Sequence, residues 1–474
     1  MSIQSAVKSG FWIYAASIVN SVLGLLYWII MSSLLGAEVV GYAAAVLNLA
    51  LVVSYVANLG VYVGVNRYVG EAMGRRDTDL ASSYFWSAFT YLAVIYAVAA
   101  LATWLLAPMI GLTQYLAVAA AIVAATGLIS IAEAYAAAVY RGVWKMQSVI
   151  LSHVVRFFVS VMLLDLGLIA VVVGNVAWHV ANSVFFVWRV HKHSRYAKPD
   201  ISHFIKFVKA GFALWFPGVI VYVAQQTGFF AVFTNIGAQA GGQLYIAQAL
   251  VSVLGMLAGA VGITLTPYLS SMSQQRREVV SETSRLVLAL VSPAAVILAV
   301  ASNIPLSIIG ADFMGASLLL SVLALTAIPD VYVSVVISYL MAEKKFLKVL
   351  VVSVTATVSM MFLYAVLIPA LGALGAALAR LIAGVITVCV TLIEVRPGRL
   401  QIYAVALPLL AGSTALFTPQ PVAVLATLMT YALYPRLNVL TRRDVTIVLE
   451  SFLGERARHI YQRFKQIVDV LFPR

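Results

Sequence analysis

Residues 11–34 read FWIYAASIVNSVLGLLYWIIMSSL, and no charged side chain interrupts them. A helix that crosses the hydrocarbon core of a bilayer needs about 20 predominantly apolar residues. This stretch is longer than the apolar region of a signal peptide, and further apolar runs follow it. We therefore interpret it as the first membrane span and not as a cleaved leader, and similar runs recur as far as Tyr434.

The composition extends this interpretation to the whole chain. Of 474 residues, 63% are hydrophobic and only 10% are charged, and the mean hydropathy is +1.01. A soluble domain is nearer half apolar and a quarter charged. The single cysteine, Cys389, excludes a disulfide framework and a cysteine metal site. We predict an all-α polytopic membrane protein of about fourteen transmembrane helices. The expected spans are 11–34, 40–66, 83–107, 114–140, 147–164, 168–189, 210–234, 243–269, 286–308, 315–341, 349–369, 372–393, 401–417 and 420–435.

The net charge of +13 follows the expected topology. Basic residues cluster at every second connection between spans. Of the 30 lysines and arginines, 28 lie on that side or at a helix end facing it, and only Arg156 and Arg380 lie within spans. The positive-inside rule assigns the basic connections to the cytoplasm. This predicts a multi-pass plasma-membrane protein with both termini in the cytoplasm, and it gives no reason to expect a nucleic-acid partner.

An internal duplication appears when the sequence is compared with itself at a shift of 201 positions. Gly36 then meets Gly237, Gly41 meets Gly242, and an Arg-Arg pair in each half coincides. We interpret residues 1–200 and 201–400 as two six-helix lobes, pseudo-symmetric about an axis along the membrane normal and enclosing a central cavity. Transporters commonly bind substrate between such repeats, although a channel can also be pseudosymmetric.

The rest of the chain is expected to hold two more transmembrane helices, at 401–435, and a cytoplasmic amphipathic tail at 436–474. The tail alternates apolar and basic residues at helical spacing, so it would lie either on the cytoplasmic leaflet or on the inner face of the protein. We find no catalytic motif, phosphate-binding loop or metal-ligand spacing in the sequence. We therefore expect neither an enzyme nor a bound cofactor.

Ionisable residues inside the predicted spans are the first functional candidates, because a charge at mid-membrane costs at least ~2.5–3.5 kcal/mol. Arg156 and Arg380 could line a cavity for an anionic substrate, since a guanidinium matches phosphate oxygens. A structural ion pair, for instance Arg156 with Glu133, is the alternative. Asp330 follows Pro329, which opens a helix kink. Asp330 or Glu133 could therefore bind Na⁺ or a proton for coupling, or Asp330 could merely stabilise the kink.

Neutral polar residues form a second set of candidates. Asn175, His179 and Asn182 share one helical face. At the 201-residue shift His179 coincides with Arg380, which predicts matching places on opposite walls of one cavity; ordinary helix packing is the alternative. Glutamine amides suit sugar hydroxyls but also join helices, and Tyr222, Trp215 and Trp178 could stack on sugar rings. The candidate substrate or cavity residues are Arg156, Arg380, His179, Asn175, Asn182, Gln225, Gln226 and Arg67.

Short motifs of small and aromatic residues occur at helix ends, namely Ser9-Gly10-Phe11-Trp12, Leu34-Leu35-Gly36-Ala37, Asn58-Leu59-Gly60, Asn66-Arg67-Tyr68-Val69 and Leu371 to Ala379. In these the chain resembles the polysaccharide-biosynthesis flippases of the multidrug/oligosaccharidyl-lipid/polysaccharide (MOP) exporter superfamily. The resemblance implies two six-helix lobes around a V-shaped cavity, and flipping of a polyprenyl- or dolichyl-(pyro)phosphate-linked oligosaccharide to the outer leaflet. Membrane lipids and this substrate would be the partners of a protein that works as a monomer.

Two rival functions share the implied fold. Cation-coupled multidrug exporters typically carry acidic residues in the first, seventh or tenth helix, and here only Asp330 fits. Lipid II flippases carry several arginines in the early helices, where this chain offers only Arg67. A membrane-bound polymerase or glycosyltransferase would need larger polar loops and acidic motifs.

Overall fold

The computed structural model describes residues 3–272, 276–395, 399–418, 420–437 and 439–441. In these residues every regular element is a helix. The helices are α1 (Ile3–Ala57), α2 (Val61–Gly74), α3 (Thr78–Leu106), α4 (Gln114–Thr126), α5 (Ile129–Ala138), α6 (Val143–Met162), α7 (Leu168–His193), α8 (Ile201–Asn235), α9 (Ala238–Ser271), α10 (Arg276–Val300), α11 (Asn303–Ile309), α12 (Ser317–Ala342), α13 (Phe346–Val395), α14 (Arg399–Phe417) and α15 (Gln420–Arg436). Short 3₁₀ turns lie at Ala107–Ile110, Leu164–Leu166 and Ala311–Ala316. The predicted tail lies outside the described residues from 442 onward.

The fold class is confirmed, because a helix occupies each of the fourteen predicted spans. Eight helical segments of the described chain are long and apolar enough to cross a membrane. Two of these, in α1 and α13, each contain two spans, since the backbone leaves helical geometry at Gly36 (φ 79°) and Gly372 (φ 59°).

Three predicted spans are interrupted in the structure. The second ends its first helix at Ala57 and resumes at Val61, after a turn in which Gly60 has φ 75°. The fourth divides at Gly127, where a Cβ atom would lie 2.5 Å from the Tyr96 ring. The ninth divides into α10 and α11. Uniformly apolar sequence conceals such breaks, because hydropathy alone does not register close packing.

The turns away from the basic connections share one backbone feature. Between the first and second span of each successive pair, as far as the twelfth span, the turn contains a glycine with positive φ, a conformation that only glycine adopts at little cost. These glycines are Gly36, Gly111, Gly167, Gly237, Gly310 and Gly372. The first and fourth are 201 positions apart, the second and fifth 199, and the third and sixth 205.

The changing separation corrects one expected correspondence. Asn175 lies eight residues after the turn glycine Gly167, and Arg380 lies eight residues after the turn glycine Gly372. By this count Arg380 matches Asn175 and not His179. The repeats differ in length between the turns, so a single register of 201 residues does not hold along the whole of each repeat.

The chain folds into two compact units. The first contains Met1–Ile246 with the short segments Ile309–Phe313 and Tyr364–Ala373. The second contains Ala247–Ile308, Met314–Leu363 and the residues from Leu374 onward. The predicted lobe boundary at residue 200 stays a prediction.

Backbone contacts between α1 and α9 in the first unit repeat with pseudo-symmetry. A Cβ atom on Gly41 would lie 1.9 Å from the carbonyl oxygen of Ala238. A Cβ atom on Gly242 would lie 1.9 Å from the carbonyl oxygen of Ala37. The two contacts exchange under the 201-residue shift, as an isologous interface requires. Glycine at both places lets the helices approach as closely as small-residue membrane interfaces do.

A second close contact brings α8 against the turn before α2. A Cβ atom on Gly211 would lie 1.9 Å from the Gly60 carbonyl oxygen, so only glycine fits there. Further along α8, Trp215 Nε1 donates a hydrogen bond of 2.9 Å to the Tyr55 carbonyl oxygen. The contact fixes α8 as one wall of a cavity in the first unit.

Candidate functional site

A cavity of about 640 Å³ lies within the first unit. Its walls come from α1 and α3 to α8, together with the turn before α2 and Tyr62 and Val63 of α2. Because seven transmembrane segments converge on it, the side chains at its surface come from distant parts of the sequence. A volume of this size accommodates a ligand of a few sugar rings, since ordinary ligand pockets span roughly 300–1,000 Å³.

Aromatic side chains form much of this cavity's surface. They are Tyr55, Tyr62, Tyr96, Trp178, Trp215 and Tyr222. The Tyr55 and Tyr222 rings lie 5.0 Å apart, and Tyr96 donates through its hydroxyl to the Ser54 carbonyl oxygen at 3.1 Å. These contacts hold the rings in place, so flat apolar faces are presented to a ligand without first being ordered.

Neutral hydrogen-bonding groups lie between the rings. Asn58 Nδ2 donates to Ser130 Oγ at 3.0 Å. Asn20 Oδ1 lies 3.2 Å from His153 Nε2, and Asn182 accepts a hydrogen bond from Ser148. Amides held in this way keep further donor and acceptor capacity for a ligand.

One ion pair lines the cavity. Lys145, at the beginning of α6, donates to the Glu133 carboxylate of α5. The predicted pair between Arg156 and Glu133 is therefore wrong, because Lys145 takes the carboxylate. No other lysine, arginine or carboxylate lines this cavity among the described residues.

Arg156 is buried, with 4% of its surface exposed, and does not line the cavity. Its guanidinium stacks on Tyr27, with 3.4 Å from Cζ to the ring centroid, and donates to Asn175 Oδ1 at 2.6 Å. Its Nε has no hydrogen-bond partner, and in the described part of the chain no carboxylate pairs with it. Stacking on aromatic rings partly offsets the cost of burying this charge.

The predicted polar face of α7 is divided between these two places. His179 and Asn182 line the cavity. Asn175 is buried beneath it, where it receives the Arg156 hydrogen bond and donates to the Val171 carbonyl oxygen at 2.8 Å. All three therefore face one region, but only two are placed to touch a ligand.

The remaining candidates in the first unit lie elsewhere. Gln225 and Gln226 are half-buried on α8 and do not line the cavity, whereas Tyr222 in the preceding turn does. Arg67 is exposed on α2 and pairs with Glu71 at 3.0 Å.

In the second unit, two candidates that were assigned different roles contact each other. Arg380 Nη2 of α13 lies 3.2 Å from Asp330 Oδ2 of α12. Asp330 is partly exposed, and the buried Nε of Arg380 has no partner. Pro329 packs against Gly384, where a Cβ atom would lie 3.0 Å from the proline ring. The pair brings together two charges that both lie inside predicted spans.

Sequence reasoning identified Tyr222, Trp215 and Trp178, and all three line the cavity. It missed Tyr55, Tyr62 and Tyr96, because most tyrosines of a membrane protein serve as interface anchors. It also missed Lys145, which was counted among the basic connections. A helical-wheel comparison of the tyrosines with the asparagines could have indicated the first group.

The fold is similar to that of solved transporters of the MOP superfamily. The lipid II flippase MurJ, in an inward closed conformation, matches with a TM-score of 0.68 and 15% identity, over 90% of this chain and 99% of that one. An inward-facing multidrug resistance MATE family transporter matches with a TM-score of 0.62 and 14% identity, over 80% and 94%. A MOP superfamily transporter from Pyrococcus furiosus, described by the reverse polarity of its binding pocket, matches at 0.55 and 16%, over 87% and 96%.

The family model described as polysaccharide biosynthesis protein matches residues 30–317. The chain therefore belongs to the polysaccharide biosynthesis protein family. No curated protein sequence matches it.

Proposed function

We propose that this protein flips a lipid-linked oligosaccharide from the cytoplasmic to the outer leaflet by alternating access. The observation that carries the proposal is the aromatic and amide-lined cavity of the first unit, found in a member of a polysaccharide biosynthesis family. The carrier would be a polyprenyl or dolichyl (pyro)phosphate, with its chain left in the bilayer. The product would supply assembly of a surface polysaccharide or glycoprotein.

The cavity surface suits a carbohydrate. Sugar rings have apolar C–H faces that pack on aromatic rings, and hydroxyls that need hydrogen bonds along their edges. Trp178, Trp215 and Tyr222 offer the faces, and Asn20 and Asn182 offer the hydrogen bonds.

Arg156 would act on the phosphate through its electric field. It is a buried cation without a carboxylate in the described residues, so its charge is felt strongly in the low-dielectric surroundings. An anionic (pyro)phosphate is drawn toward the centre of the membrane by such a charge, whereas a cationic drug is repelled. This asymmetry favours the flippase over the multidrug exporter.

The orientation follows from the basic connections. The positive-inside rule supports a plasma-membrane protein with both termini in the cytoplasm. The protein would work as a monomer and would catalyse no covalent step. Coupling to Na⁺ or a proton is assigned to Asp330, whose partly exposed carboxylate pairs with Arg380, or to Glu133, which pairs with Lys145.

Proteoliposomes test the proposal. Purified protein is reconstituted with a fluorescent lipid-linked oligosaccharide and, in parallel, with a cationic dye. We expect the glycolipid to exchange between leaflets while the dye stays where it was loaded. Movement of the dye without exchange of the glycolipid contradicts the flippase and supports the multidrug exporter.

A further inference from the structure

The charges at the cavity surface indicate whether its ligand is a charged or an uncharged sugar, which the proposed function leaves open. Glu133 and Lys145 are the only carboxylate and ammonium that line it among the described residues, and they are bonded to each other. Their side chains are 21% and 29% exposed, so the pair is accessible to a ligand yet largely shielded from solvent. The surface therefore offers no free lysine or arginine in the described part of the chain.

We infer that this cavity selects uncharged sugar units, and that Glu133 determines the selectivity by neutralising Lys145. The inference rests on the proposed function for its place in transport, but the binding step can be measured alone. An uncharged ring meets aromatic faces and neutral amides, and it brings no charge into the cavity that would need a partner. Neutral hexoses and N-acetylhexosamines are the ligand class.

The same surface disfavours an acidic sugar. Its carboxylate would lose its water and find Lys145 already bound, with the Glu133 carboxylate beside it. A charge desolvated without a partner is costly, and repulsion of the wrong ligand is a common source of specificity. Arg156 cannot supply the missing contact, because it is buried behind the surface with Tyr27 and Asn175 as its neighbours.

Soluble trisaccharides test the binding step, with the tryptophans that line the cavity as reporters. Maltotriose, mannotriose and chitotriose are titrated in detergent at about pH 8, where an ordinary histidine is uncharged. Trigalacturonate, which is also α-1,4-linked, is the acidic match to maltotriose. We expect at least one neutral trisaccharide to change the fluorescence, and trigalacturonate to bind ~10-fold or more weakly.

Variants assign the signal and the selectivity. Trp178→Phe and Trp215→Phe should reduce the fluorescence change, whereas Trp104→Phe on α3, outside the cavity lining, should leave it intact. Glu133→Gln should raise trigalacturonate affinity ~10-fold or more, because Lys145 becomes free. The double variant Glu133→Gln with Lys145→Met should remove that gain. A gain that a second substitution reverses is not explained by misfolding.

Three results overturn the inference. The first is that no neutral trisaccharide binds, and the second is that trigalacturonate binds the unmodified protein as tightly as the neutral sugars. The third is that Glu133→Gln leaves the ratio of the neutral to the acidic affinity unchanged. The second would mean that the field of Arg156 outweighs the neutralised pair. Failure of the proposed function looks different, since the sugars would bind with this selectivity while no lipid-linked glycan crosses the proteoliposome membrane. Equal flipping of neutral and acidic glycolipids leaves the function standing and removes the selectivity.

Discussion

Arg156 is the residue on which the electrostatics of the first unit depend. It has an aromatic ring beneath it and an amide beside it, and it carries its charge without a carboxylate in the described chain. A cation–π contact in a desolvated site is worth about 2 kcal/mol, far less than the cost of burying an isolated charge. A function that uses the positive field explains why an apolar residue does not stand there.

Substituting Arg156 should weaken recognition of the phosphate and leave recognition of the sugar unchanged. We expect Arg156→Met to slow flipping of the lipid-linked oligosaccharide by ~10-fold or more, which corresponds to about 1.4 kcal/mol. Binding of a neutral soluble trisaccharide should change little, because Arg156 does not line the cavity. The matched control is Arg67→Met, which removes an exposed arginine. Equal flipping by both variants would show that the buried charge has no role.

In the second unit, Asp330 and Arg380 are the two charged residues of the predicted spans, and they pair with each other. If this pair holds the coupling ion, Asp330→Asn should remove the dependence of flipping on an imposed Na⁺ or pH gradient. Flipping is measured with each gradient separately, and Glu343→Gln, a loss of carboxylate at the end of α12, is the control. A gradient dependence that survives in Asp330→Asn but disappears in Glu133→Gln would assign coupling to the first unit.

At the scale of elements, backbone contacts at glycines position the walls of the cavity. The contact between Gly60 and Gly211 leaves no room for a methyl group. Gly211→Ala should therefore destabilise the protein by about 1–3 kcal/mol, the usual cost of overpacking. Thermal unfolding in detergent measures this. Gly24→Ala on α1, where nothing lies within 4 Å of the added atom, should unfold at the original temperature or above it. Equal melting temperatures would mean that α8 is not held at this contact.

An ion pair joins the beginning of α10 to the end of α12. Arg276 Nη1 donates to Glu343 Oε1 at 2.6 Å, and this bond lowers the pKa of the Glu343 carboxyl from its ordinary value of 4.5. A carboxyl whose pKa is lower in the folded state stabilises the protein above its unfolded pKa. That stabilisation is lost as the pH falls through the folded pKa. Glu343→Gln should therefore lower the melting temperature at neutral pH, and the difference from the unmodified protein should narrow as the pH falls below 4.5. A difference in melting temperature that stays constant with pH would contradict this expectation.

At the scale of the whole molecule, apolar runs and basic connections predict the helices, because both are properties of consecutive residues. The site is less accessible to such reasoning. Glu133 and Lys145 are close in the chain, yet Lys145 resembles any other basic residue of a connection. Asp330 and Arg380 come from helices that only the folded structure brings together. The Tyr55, Tyr62 and Tyr96 side chains are harder to assign to the cavity, because breaks after Ala57 and at Gly127 interrupt the spans around them.

The proposed function requires the glycan of a lipid-linked substrate to occupy the cavity of the first unit. Photo-crosslinking tests it most directly, using a lipid-linked oligosaccharide with a diazirine on its sugar, followed by mass spectrometry of the labelled peptides. We expect adducts on the segments around Tyr55 to Tyr62 and Trp178 to Asn182, and we expect an excess of neutral trisaccharide to reduce them. Adducts confined to helices of the second unit, or unaffected by the sugar, would contradict it.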